Sequence, residues 1–117
     1  MKRVDAVELL HKYVKSENMI KHCLASEAVL TALADRLGAD REKWALAGLL
    51  HDLDVELTTA DLQLHGLKTV EILESRGIDA EILDAIRMHN EEAAGDRRTE
   101  VFHHALAENK NFQKFFE

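Results

Sequence analysis

The stretch Trp44-Ala45-Leu46-Ala47-Gly48-Leu49-Leu50-His51-Asp52 decides how the chain is read. An unbroken apolar run, preceded by Asp40 as a cap, predicts a helix from Arg41 to Leu50 buried on nearly all sides. A helix this apolar does not normally end in an imidazole and a carboxylate unless something satisfies them. A bound cation would satisfy both. Simple hydrogen bonding at the helix end is the other reading, although a carboxylate there opposes the helix dipole. Adjacent helical side chains diverge by roughly 100°, so His51 and Asp52 share one ion only if the helix end relaxes, or Asp52 reaches between two ions.

Outward from this stretch, helix signals continue in both directions. The chain has 117 residues, no proline and 46% hydrophobic residues, enough for one core and a single domain over 1–117. Val7, Leu10 and Val14 mark a first helix from Asp5 to Val14, and Lys15-Ser16-Glu17 a polar turn. Met19, Cys23, Leu30, Leu33 and Leu37 line a second helix from Asn18, closed by Gly38. After a loop from Asp54 to Thr59, Leu64, Leu67, Ile72 and Leu73 predict a helix over Leu62 to Ser75 with Gly77 as its stop. Asp79 caps the next, which carries Ile82, Leu83, Ile86 and Met88 up to His89. A loop around Gly95 leads to a last helix from Thr99. No stretch alternates as a strand would, so the expected fold is all-α, a compact bundle of about six helices.

Charge and composition narrow the functions. Asp and Glu outnumber Lys and Arg 22 to 15, a formal charge of -7 that repels nucleic-acid backbones and anionic membrane surfaces. No helix has the basic character of a DNA-recognition helix. A small anionic substrate stays compatible, because a bound metal inverts the local sign of the field. The apolar runs are too short to span a bilayer. With one cysteine, Cys23, and no signal-peptide pattern after Met1-Lys2-Arg3, a reducing cytoplasm is the expected location.

Of the seven histidines, His22, His51, His65 and His89 fall on four different predicted helices, which a bundle can bring to one pocket. The order His22, His51-Asp52, His65-Gly66, His89-Asn90-Glu91 resembles the HD superfamily of metal-dependent phosphohydrolases over roughly residues 18–92, and Leu49-Leu50-His51-Asp52-Leu53 resembles its HDIG subgroup. The resemblance implies an HD-type helical bundle with His22, His51 and Asp52 as the first metal ligands. It makes His65 and His89 the further pair of the binuclear branch that includes the HD-GYP phosphodiesterases. It also implies two divalent transition metals, iron or manganese ahead of cobalt, nickel or zinc. Asp52 would bridge them, and a metal-bridged hydroxide would hydrolyse a small phosphate ester, for instance a nucleotide. His11, His103 and His104 have no counterpart in that pattern.

Other residues are weighed on their surroundings. Lys68, three residues past His65, is placed to contact a substrate phosphate or simply to be a solvated surface lysine. Arg97 and Arg98 are read the same two ways. Asp54 and Glu56 are candidate acceptors behind a ligand imidazole, with turn capping as the alternative for Asp54. The family's set closes with an acid on a later helix, and here Ala105-Leu106-Ala107 begins like that helix while Glu108 to Glu117 does not continue like it. Glu108 is the nearest carboxylate, but a shift of two residues rotates it by about 200°. This altered 99–117 segment carries Phe102, Leu106, Phe112, Phe115 and Phe116 as an approximate stripe that covers the core or, preferably, pairs with a second copy as a homodimer. Its departure also supports the rival reading, an HD-type metal-binding or interaction module impaired in catalysis.

Overall fold

The computed structural model describes residues 1–90, 94, 98, 100–111 and 113, leaving aside the side chains of Leu62 and Lys110. Among these residues it is built from six α-helices and two short 3-10 turns, with no strand. The helices are α1 (Arg3–Tyr13), α2 (Glu17–Leu37), α3 (Arg41–Leu50), α4 (Leu67–Glu74), α5 (Ala80–Met88) and α6 (Val101–Glu108). The all-α expectation holds. No helix among the described residues is long and apolar enough to cross a membrane.

The caps read from sequence do their work. Asp40 accepts the amide of Lys43 at the start of α3 and Asp79 that of Glu81 at the start of α5, and Ser16, read only as part of a polar turn, caps α2 by accepting the amide of Met19. Gly38 closes α2 in the left-handed region at φ 70°, where a Cβ would be strained.

Helix α3 is the hub: it packs against α1, α2, α5 and α6. Its Trp44, Ala47, Gly48, Leu49 and Leu50 are buried, joining Leu10, Val29, Leu30, Leu53, Leu73, Ile86 and Leu106 in one core. On its outer side Trp44 stacks on Phe102 of α6, ring centroids 5.0 Å apart and planes within 4°. Phe102 and Leu106 therefore cover this chain's own core, while Phe112, Phe115 and Phe116 lie outside the described residues.

The expected helix over Leu62 to Ser75 is corrected. Leu62–Leu64 forms a 3-10 turn, and the α-helix begins only at Leu67. The break is Gly66, at φ 89° with its amide donating 2.6 Å to the Asp54 carboxylate. Propensity alone favoured one helix; a capping carboxylate twelve residues upstream set its start instead.

At one point α2 and α3 touch backbone to backbone. A Cβ on Gly48 would sit 2.6 Å from the carbonyl oxygen of Ser26. Gly48→Ala is expected to destabilise the fold by about 1–3 kcal/mol, read as a lowered midpoint in chemical denaturation.

Candidate metal centre

Burying the end of α3 forces Asp52, 7% exposed, into the bundle beside His51, 3% exposed. An unpaired carboxylate there would be costly, and the fold meets that cost with imidazoles from four places in the chain. His22 from α2 approaches Asp52 Oδ2 at 2.8 Å through Nε2, and His51 Nε2 lies 3.1 Å from the same oxygen. His65 Nε2 lies 3.0 Å from Oδ1 and His89 Nε2 3.6 Å from it. The rings follow one another around the carboxylate, with centroids 5.6 Å apart for His22 and His51, 5.1 Å for His51 and His89, and 4.8 Å for His89 and His65. All five residues singled out from the sequence converge.

Their donor atoms form two trios, His22-His51-Asp52 and Asp52-His65-His89, each with its atoms within 4.8 Å of one another. In the second trio His65 Nε2 and His89 Nε2 are 3.0 Å apart. Ligand atoms about 2.1 Å from a transition metal stand roughly 3.0–3.4 Å from each other, so these separations suit one ion.

What stands behind the rings decides which nitrogen is free. His65 Nδ1–H donates to Asp54 Oδ1 at 2.7 Å, His51 Nδ1–H to the Gly48 carbonyl at 2.8 Å, and His89 Nδ1–H to the Ile86 carbonyl. With Nδ1 so occupied, Nε2 of His65 and of His89 each turn a lone pair toward the other and toward Asp52 Oδ1. Three acceptors facing one another need a cation or a proton among them. The donor set therefore fits a divalent transition metal.

Asp54, fully buried, does two jobs. Besides orienting His65 it accepts the amides of Gly66 and Thr69, at 2.6 and 3.0 Å, and so caps α4. Thr69 returns a contact, its hydroxyl accepting the amide of Asp54 at 3.1 Å. Gly66 also clears space for a ring, since a Cβ there would be 3.1 Å from His89 Cε1. Glu56 serves elsewhere, accepting the amides of Lys15 and Ser16 at the turn before α2. Arg98 donates to the carbonyls of Met88 and His89 at 2.9 and 2.7 Å, closing the end of α5 that carries the ligand-like imidazole. Arg97 lies outside the described residues.

Electrostatics follow from this packing. Burial alone would raise Asp52, but His51, His22 and His65 outweigh it and hold the carboxyl well below its usual range. Burial pulls His65 down, yet hydrogen bonds and charge from Asp52 and Asp54 prevail and raise it to about 10. In His51 the Asp52 charge likewise overcomes burial and raises it, whereas burial lowers His89.

Five further residues weighed from the sequence stand outside the cluster. Lys68 pairs with Glu71 at 3.2 Å along α4. Glu108 is exposed at the end of α6. His103 is buried against Asp84 of α5 at 2.6 Å, a satisfied core histidine, while His11 and His104 are exposed. The sequence reading missed Ser26, Asn109 and Gln113, a polar group behind His22 in which the Ser26 hydroxyl donates 2.8 Å to Asn109 Oδ1. The i, i+4 spacing of Asn109 and Gln113 was the available signal.

A helical bundle with a His/Asp cluster of this kind defines a class of metal-centre domain, and a family profile described as HD domain matches residues 19–111. The chain belongs to the HD-domain family, whose members are generally metal-dependent phosphohydrolases. Similar proteins include ribonuclease Y of Nitratidesulfovibrio vulgaris, 31% identical over 85 residues, which is 73% of this chain and 16% of that protein. Ribonuclease Y of Mesoplasma florum is 24% identical over 94 residues, 80% of this chain and 19% of that protein. The chain thus spans less than a fifth of the length of these curated relatives. No solved structure gives a significant match.

Two outcomes follow for a metal titration. Protons held by His65 and His51 compete with the ion, so uptake at pH 7 releases protons and affinity rises with pH, measurable calorimetrically in buffers of different ionisation enthalpy. Asp54→Asn keeps an acceptor for α4 but turns an NH2 toward His65 Nδ1, and is expected to weaken metal binding about 10–100-fold in a chelator competition.

Proposed function

We propose that this chain is a metal-dependent phosphohydrolase acting on small phosphate esters or diesters, nucleotides among them, through a centre of two divalent transition metals. The observation that carries the reading is the division of the Asp52 carboxylate, one oxygen to each of two imidazole-containing trios. Divalent ions held there supply Lewis acidity toward phosphoryl oxygens and lower the pKa of water to the neutral range.

The chain's own residues do the rest. Asp52 would hold an ion on each side, since His22 and His51 face its Oδ2 and His65 and His89 its Oδ1, and its buried setting keeps competing water from the carboxylate. His65, His51 and His89 present Nε2 in fixed directions because each Nδ1–H is anchored on an oxygen. Lys68 on α4 exchanges Glu71 for a substrate phosphate, a charge-assisted contact stronger than its exposed ion pair. Iron or manganese is the preferred metal, with cobalt, nickel or zinc as alternatives. The name of the similar ribonuclease Y proteins points to the phosphodiester class, while the charge of -7 on this chain favours a short substrate over a long polyanion. A homodimer through the C-terminal segment is the preferred assembly.

The second reading is a metal-binding module without turnover, favoured by the absence of any carboxylate except Asp52 from the first trio among the described residues. Purified protein loaded with manganese or iron, assayed on mono- and diesters and nucleotides, separates the two. Turnover that falls about 100–1,000-fold in Asp52→Ala supports the enzyme, since a lost metal clamp removes several kcal/mol of transition-state stabilisation. Stoichiometric metal without turnover on any of these substrates supports the module.

A further inference from the structure

The imidazoles around Asp52 are not equivalent in what stands behind them. His51, His65 and His89 each have an oxygen at Nδ1, whereas His22 Nδ1 faces the amide nitrogen of Gln113 at 3.2 Å. The orientation of that amide is fixed by contacts that begin at a backbone carbonyl. The oxygen of Leu106 can only accept, so Asn109 turns its NH2 toward it and its own oxygen away. That Asn109 oxygen accepts the Ser26 hydroxyl at 2.8 Å and Gln113 Nε2 at 2.7 Å. Reversing the Gln113 amide would set two carbonyl oxygens 2.7 Å apart; reversing Asn109 as well would set its oxygen against Leu106.

Gln113 Nε2 also faces the Ser26 oxygen at 3.1 Å; as an NH2 it donates and does not accept, which favours the His22 tautomer with Nδ1 bare and the hydrogen on Nε2. That hydrogen points 2.8 Å away at Asp52 Oδ2. His22 thus meets the carboxylate as a donor, while His65 Nε2 and His89 Nε2, 3.0 Å apart and both facing Oδ1, need a proton or a cation between them. The environment adds to the difference: Asp54 stands behind the second trio, and the neutral Ser26, Asn109 and Gln113 stand behind the first.

We propose that Gln113 is a tautomer latch that holds His22 as a hydrogen-bond donor to Asp52, so the chain takes its first divalent ion at Asp52, His65 and His89. A second ion on the His22 side binds weakly until Gln113 withdraws. The latch makes occupancy of the centre depend on the position of the Gln113 amide. This inference rests on the metal-centre reading above.

The test uses the full chain and two measurements. In the metal-free protein, nitrogen-15 NMR of the imidazoles is expected to show hydrogen on Nε2 and none on Nδ1 of His22. A hydrogen on its Nδ1 overturns the latch. Cobalt(II), followed by absorption, is expected to give one tight ion and a second about tenfold or more weaker. Gln113→Glu, an acceptor behind His22, is expected to tighten the second ion about 10–100-fold and leave the first within a few-fold. Two ions of equal affinity in the unaltered chain, or no change in the variant, sink the proposal. If Gln113→Glu does not fold by circular dichroism, Gln113→Ala replaces it, with the second ion again expected to tighten. A chain that binds no cobalt defeats the metal-centre reading, and the hydrogen position on His22, read without metal, still decides the latch.

Discussion

The structure is organised around one constraint, a carboxylate that the buried end of α3 carries into the bundle. Asp52 cannot stay charged there without partners, and its partners come from α2, from the residue before it, from the turn before α4 and from the end of α5. Each of those segments must therefore be placed to within hydrogen-bond reach of the same two oxygens. The apolar core holds the helices together in general; the carboxylate fixes their ends in particular.

Asp54 shows how one residue transmits that constraint. A helix start, a glycine conformation and an imidazole orientation all hang on its two oxygens, since it accepts from Gly66, Thr69 and His65. The same carboxylate therefore builds α4 and aims the His65 lone pair. Arg98 acts comparably at the other side, closing the carbonyl end of α5 from which His89 projects. Support of the ligands and formation of the helices are one set of hydrogen bonds, not two.

Helix existence and type were legible because propensity, caps and apolar spacing agreed along most of the chain, as at Asp40 and Asp79. The misread element, the segment from Leu62 to Ser75, is where a long-range contact overrode local propensity: Gly66 answers to Asp54 rather than to its neighbours. The neutral group behind His22 was illegible for a similar reason. Ser26, Asn109 and Gln113 are ordinary surface-type residues until α6 lays its end across α2.

By itself the sequence determined that the chain is helical, that α3 is buried and that His51-Asp52 must be satisfied, because these follow from spacing and from the cost of desolvating polar groups. It also set which histidines were available, through their order along the chain. Only the tertiary structure decided which nitrogen of each imidazole faces Asp52. That choice depends on whether an oxygen or an NH2 from a distant segment stands behind the ring, and nothing in local spacing encodes it.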